Sequence, residues 1–224
     1  MVLLLILAAV IVFGDHVCLP EFSSIISRVH PEPRLHVPLV IENRDVNENG
    51  IPDALDFAAG ARREVERRTR YDAAYCAGGY PPEGRGACTD VVWRAFREAG
   101  YDLKRMVDED IRKAPAAYGA TGRRPDPNID FRRVKNLVVF FGRHGRELAT
   151  EVIPGDSDNL AKWQPGDIVV FGPTWEHIGI VSESRLPDGV PLVINNAGPC
   201  ASESDCLLSW PSGITHHFRF TGEE

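Results

Sequence analysis

The sequence has no apolar run long enough to cross a bilayer as a helix. Its longest, MVLLLILAAVIVFG at residues 1–14, falls short of the roughly 20 residues that a span requires. Nor is there a basic excess: 25 Lys and Arg stand against 32 Asp and Glu, for a net charge of −7. No Arg/Lys stripe interleaves with aromatic residues, so a phosphate-backbone footprint is excluded and nucleic acid is not an expected partner. Internal repeats and low-complexity stretches are missing too, which argues for an ordinary globular chain. No His-Glu-x-x-His or comparable zinc spacing is present and the histidines are scattered, so no cofactor is expected in catalysis.

The N-terminal apolar run has no Lys or Arg ahead of it and no clean Ala-x-Ala site after it. It reads as the h-region of a secretory signal or as an uncleaved membrane anchor, with a buried N-terminal helix as the blander alternative. Lipid attachment at Cys18 is not expected, because Asp15, His16 and Val17 are not the small apolar set that processing needs. An extracytoplasmic destination, secreted or anchored, makes disulfides the default for most of the five cysteines. Cys200 and Cys206, six apart in GPCASESDC, are the simplest pair to propose, and Cys18 with Cys76 is a second. Cys88 is then the odd thiol, and an unpaired thiol in an oxidising compartment invites a chemical reading.

With 224 residues the chain suits one domain plus an N-terminal appendage. Residues 15–40, broken by Pro20, Pro31, Pro33 and Pro38, read as a linker, and the domain as 41–224. From Asp53, ALDFAAGARREVERRTR has helical spacing, with Arg62, Arg63, Glu66 and Arg67 read as its solvated face. A glycine- and proline-rich loop, residues 78–86, leads to CTDVVWRAFREAG, where Val91, Val92, Ala95, Phe96 and Ala99 follow a helix and Gly100 ends it. RRVKNLVVFFGRHG fits a strand or a helix, and its i, i+3, i+4, i+7 apolar positions favour the helix. Beyond it the period becomes that of strands: 167–171, 177–183, 191–196 and 215–220, joined by Pro-Gly-Asp and Pro-Asp-Gly turns. Helices followed by antiparallel strands predict an α+β domain.

Two places have the composition of a site. In DVNENGIPDALD, Asp45, Asn47 and Asn49 occupy positions 1, 3 and 5 of a calcium loop, with Gly50 at the tight turn. Ile51 takes the carbonyl position, and Asp53 and Asp56 fall at positions 9 and 12. Asparagines at 3 and 5 and the short Asp56 depart from the full pattern, and an Asn-Gly turn before a helix capped by Asp53 is the competing reading. Any calcium here is expected to be structural, because a hard cation does not activate a thiol. The second place is Cys88, at the junction of the glycine-rich loop and a helix N-terminus, where free N–H groups and the helix dipole favour a thiolate and offer an oxyanion site. A thiol nucleophile needs a base and a group to orient that base. His177 begins a strand, and Asn195 and Asn196 end the next one. Neighbouring strand residues face opposite sides, so only one asparagine reaches the ring.

The blocks YPPEGRGACTDVVWRAFREAGYDL, RRPDPNIDFRRVKNLVVFF, WQPGDIVVF, HIGIVSE and PLVINN resemble the bacterial family named domain of unknown function 1287, over roughly residues 45–220. That family is similar to the NlpC-type, papain-like cysteine peptidases, many of which cut peptide or amide bonds of cell-wall peptidoglycan. The resemblance implies a papain-like fold with Cys88 as nucleophile, His177 as base and Asn195 in the third polar position, where the family often has histidine. Asparagine accepts an imidazole N–H but carries no charge. Tyr80 and Asp90 match family positions near the nucleophile and are carried as support. The expected function is an extracytoplasmic cysteine amidase or peptidase. A non-catalytic wall-binding module and a calcium-stabilised structural domain are the alternatives.

Overall fold

The computed structural model describes residues 35–222 apart from 121, 123, 174 and 175. The apolar run at residues 1–14 and Cys18 lie outside the described residues. Among those described, no helix is long and apolar enough to cross a membrane.

Helix α1 (Asp53–Glu66) buries Phe57, Ala58 and Ala61, and α2 (Cys88–Glu98) buries Val91, Val92, Ala95 and Phe96. These are the apolar stripes of two amphipathic helices, and Phe57 stacks on Phe96 with centroids 4.4 Å apart. Gly60 lets the helices approach, since a Cβ there would lie 2.9 Å from the Ala95 Cα. Between them, β1 (Arg70–Tyr71) and β2 (Arg85–Gly86) form a short parallel pair. Helix α3 (Leu103–Lys113), outside the sequence expectation, is capped by Asp102, whose side chain accepts the Arg105 N–H at 3.0 Å. After a 3-10 turn at Asp130–Arg132, the ambiguous apolar run is helical, α4 (Val134–His144), with Leu137, Phe140 and Phe141 in the core.

The sheet follows: β3 (Gly145–Leu148), then, after the short α5 (Ser157–Leu160), β4 (Ile168–Phe171), β5 (His177–Arg185), β6 (Pro191–Asn195), β7 (Ser202–Ser204) and β8 (Ile214–Phe220). Its order is β3-β8-β4-β5-β6-β7, antiparallel throughout, so the chain is α+β. Ile168, Val170, Ile178, Ile180 and Ile194 pack with the helices, while Val169, Phe171, Val181 and Val193 join a second cluster around Trp163 and Leu160. Both faces are covered, which is why IVVF reads as a continuous apolar run rather than an alternating one.

Three expectations need correction. Residues 35–40 are not linker: Leu35 and Val37 pack on the second cluster, and the Gln164 side chain accepts the Val40 N–H and donates to Pro38 O, both at 3.0 Å. Arg62 is not merely solvated, because its guanidinium donates to Glu203 at 2.8 and 3.1 Å and ties α1 to β7. Asp53 is the first residue of α1 rather than its cap, and the N-cap is Pro52.

Candidate active site

Cys88 opens α2, after the extended Ala87. The residue is half-buried and packs on the core shared by helices and sheet. Burial pushes its thiol up to about 11, against the N–H groups of Ile178, Thr89 and Cys88 itself, which point at the sulfur; the Asp90 charge adds to the rise. The expectation that the helix N-terminus leaves a thiolate therefore fails for the resting protein: desolvation outweighs the N–H groups.

His177 is the first residue of β5, one position before the Ile178 amide that touches the sulfur. Its ring is 6% exposed, lies flat on Trp210 (4.2 Å between centroids, 8° between planes) and has Phe171 at 6.3 Å. Nε2 lies 3.1 Å from Asn195 Oδ1. The other end of that amide, Nδ2, faces Val193 O at 3.5 Å, Ser204 Oγ at 3.4 Å and Cys206 Sγ at 3.6 Å. The Val193 carbonyl, which can only accept, assigns the N–H end of the amide to that side and Oδ1 to the ring; on that assignment Nε2 carries the proton and Nδ1 is left with its lone pair. Burial pushes the imidazole down to about 4, although the Asn195 hydrogen bond opposes it. At neutral pH the resting thiol and imidazole are both uncharged.

Asn196 points the other way. Its amide donates to Thr69 O at 3.1 Å and Gly86 O at 2.8 Å, and its Oδ1 accepts the Gly198 N–H at 3.2 Å. It pins the loop in front of Cys88 and stays away from the imidazole, as strand alternation requires.

The same segment runs through the family comparison. The model for the family described as Domain of unknown function (DUF1287) matches residues 58–220. The chain belongs to the DUF1287 family. It is 39% identical over 196 residues to the Uncharacterized protein YijF of Escherichia coli (strain K12), covering 82% of this chain and 87% of that one. Among solved structures it is similar to an N-acetylmuramoyl-L-alanine amidase from Bacteroides uniformis ATCC 8492, determined at 1.07 Å, with a TM-score of 0.44 and 12% identity, covering 75% of this chain and 99% of that one. A 1.15 Å structure of an N-acetylmuramoyl-L-alanine amidase from the same organism gives a TM-score of 0.40 at 12% identity, covering 74% and 97%.

In this DUF1287 chain, Asp90 does not face the sulfur's open side. Its carboxylate accepts the Ala87 N–H at 2.7 Å and pairs in two-pronged fashion with Arg132, both contacts at 2.8 Å. Arg132 in turn donates to Ala74 O at 2.7 Å. The pair is fully buried and sets the start of α2 against the preceding loop. Tyr80 packs on Trp93 and Phe131 and lines a pocket that includes neither Cys88 nor His177. Tyr71, which sequence reasoning missed, lies near the thiol: burial first, and then the Cys88 charge, raise its phenol above the usual range, so it remains a neutral donor. Trp210 and Arg132 were missed as well. Trp210 lies in a stretch without apolar period, and Arg132 is one of many arginines in the sequence.

The cysteine pairing needs correction. Cys200 is disulfide-bonded, but Cys76, Cys88 and Cys206 are free, so neither Cys200–Cys206 nor Cys18–Cys76 forms. Strand β7 (Ser202–Ser204), paired with β6, lies between Cys200 and Cys206.

In the 45–56 loop, Gly50 takes φ +86°, and its N–H donates to Asp45 Oδ2 at 2.7 Å. The Asn49 N–H donates to Asp45 Oδ1 and Asn47 Oδ1, at 3.1 and 3.0 Å. The amides of Asn47 and Asn49 both reach Asp56 Oδ2, at 2.8 and 3.0 Å. Ile51 gives its N–H to Asn49 Oδ1 at 2.7 Å. Asp53 stands apart from the expected ligand set: its oxygens accept Val46 N–H and Tyr101 O–H, anchoring the loop to α1.

Proposed function

We propose that this protein is a cysteine amidase or peptidase of papain-like, NlpC-type fold, acting outside the cytoplasm on amide bonds of peptidoglycan. The observation that carries the reading is the locked His177–Asn195 pair at the head of the strand whose Ile178 N–H meets the Cys88 sulfur. In this mechanism the carbonyl carbon approaches Cys88. Sγ attacks as its proton passes to His177 Nδ1, and the imidazolium forms against Asn195 Oδ1. N–H groups at the start of α2 receive the developing oxyanion. Collapse breaks the C–N bond, with the His177 proton going to the leaving amine. Water, deprotonated by His177, then hydrolyses the thioester and restores the thiol.

Both partners rest neutral, so proton transfer accompanies attack and does not precede it. Asn195 supplies orientation without charge, and the flat stack on Trp210 restricts ring rotation. The test is Cys88→Ala on purified sacculi: released fragments seen by mass spectrometry with the wild type should vanish while circular dichroism stays unchanged. Turnover surviving in Cys88→Ala overturns the assignment, and wall binding without product in either protein favours a non-catalytic module.

A second proposal concerns the 45–56 loop as a structural calcium site held by Asp45, Asn47, Asn49, Ile51 O and Asp56. Each of these residues carries an oxygen, the donor a hard cation takes, but Asn47 and Asn49 turn their N–H groups to Asp56, so binding requires both amides to turn over. Burial, opposed by the two asparagine amides but helped by the charges of Glu98 and Asp45, holds Asp56 above the usual carboxylate range, a penalty that a cation relieves. A chelator should lower the melting temperature and added calcium restore it; an unchanged midpoint removes the site.

A further inference from the structure

A pocket of about 480 Å³ opens between α3 and the segments around Tyr80 and Pro125–Pro127; neither Cys88, His177 nor Asn195 lines it. Helix α3 contributes Lys104, Asp108, Ile111 and Arg112, whose spacing of three or four residues puts them on one face. Tyr80 forms the facing wall, its ring 46% exposed. Gly79 makes that wall possible. Its φ is +89°, and a Cβ there would lie 2.7 Å from Lys104 Cε and 3.1 Å from Pro127 O. The Gly78 N–H is clipped to Asn128 Oδ1 at 3.0 Å, so the loop is held in place.

The charges are unevenly spent. Lys104 pairs with Asp108 at 2.6 Å and Arg105 with Glu109 at 3.2 Å, while Asp102 caps α3. The side chains of Arg112 and Arg124 make no ion pair or hydrogen bond within bonding distance among the described residues, although the Arg112 charge also acts on Asp108 one turn earlier. A chain of net charge −7 thus keeps two guanidiniums whose N–H groups are not hydrogen-bonded by protein on one concavity. The rest of the lining is apolar or flat: Tyr80, Ile111, Pro125 and Pro127. A guanidinium fork matches a carboxylate. The apolar wall needs an organic body, which a bare inorganic anion does not supply, and the volume lies in the roughly 300–1,000 Å³ range of small-molecule sites.

We propose that this pocket binds a short acidic peptide, with a carboxylate on Arg112 and Arg124 and its body against Tyr80. The site is independent of Cys88 chemistry. The test is calorimetric titration of the dipeptide Ala-Glu into the full chain, as wild type, Cys88→Ala, Tyr80→Ala and the Arg112→Gln/Arg124→Gln double variant. Wild type and Cys88→Ala should bind alike, and the double variant should lose at least about tenfold in affinity, since charge-assisted hydrogen bonds are lost. Tyr80→Ala should also weaken binding, and equimolar inorganic phosphate should not displace the peptide. Arg112 and Arg124 are exposed, so the fold should survive, as circular dichroism checks; Arg112→Lys, which keeps charge but loses the fork, gives an intermediate affinity as a second reading. Unchanged affinity in the double variant, displacement by phosphate, or no saturable binding at millimolar peptide overturns the proposal. None of these outcomes bears on turnover by Cys88.

Discussion

Burying His177 beneath Trp210 should make the protein acid-sensitive by a calculable amount. The ordinary imidazole value is 6.5, and burial pushes this one down to about 4. As pH falls through 6.5 the unfolded chain takes up a proton that the folded chain refuses until about 4. The unfolded state therefore binds more protons in that window, and stability falls with pH across it. The His177 contribution is intact above 6.5 and fully lost below about 4. At about 1.4 kcal/mol for each pH unit between the two values, the full loss is about 3 kcal/mol, of which about 2 kcal/mol falls between about pH 7 and pH 4.5. Other groups also titrate there, so the informative quantity is a difference of differences. Urea unfolding at both pH values should show His177→Gln losing about 2 kcal/mol less than the wild type, because glutamine has no proton to gain. Equal losses in the two proteins would refute the claim that His177 is held neutral by desolvation.

Asp90→Ala should destabilise the fold by about 3–5 kcal/mol in urea, since it leaves the buried Arg132 guanidinium without its carboxylate, held only by the Ala74 and Asp72 carbonyls and the Cys76 sulfur. The adjacent asparagines should separate stability from activity. Asn195→Ala leaves the buried His177 Nε2–H without its acceptor, costing roughly 1–3 kcal/mol of stability and, through lost orientation, roughly tenfold or more in kcat. Asn196→Ala removes the hydrogen bonds to Thr69 O, to Gly86 O and from the Gly198 N–H, while the two carbonyls keep the Ala201 and Asp72 N–H groups, so it should cost about 1 kcal/mol of stability per lost bond. A melting curve and a wall-turnover assay on the pair check both halves.

Much of this architecture is legible locally. The stripe Val91, Val92, Ala95, Phe96 makes α2 wherever it is placed, and that alone puts Cys88 at a helix N-terminus. Strand alternation alone requires Asn195 and Asn196 to face opposite ways. Even α3 was readable, from Asp102 as a cap and Leu103, Val107 and Ile111 at intervals of four. These features depend on neighbours in the chain, whose spacing is written in the sequence.

The rest required tertiary structure. Which asparagine meets His177 depended on the Thr69 and Gly86 carbonyls that draw Asn196 to the other side. Tyr80 matched a position near the nucleophile, but packing on Trp93 and Phe131 commits it to another pocket. Cys206 was spaced for a local disulfide, yet it is a free thiol buried in the second core cluster. The protonation of Cys88 reversed the expectation most fully. Helix position argued for a thiolate, but a pKa sums desolvation over atoms brought in by β5, α2 and the core, and no window of sequence contains that sum.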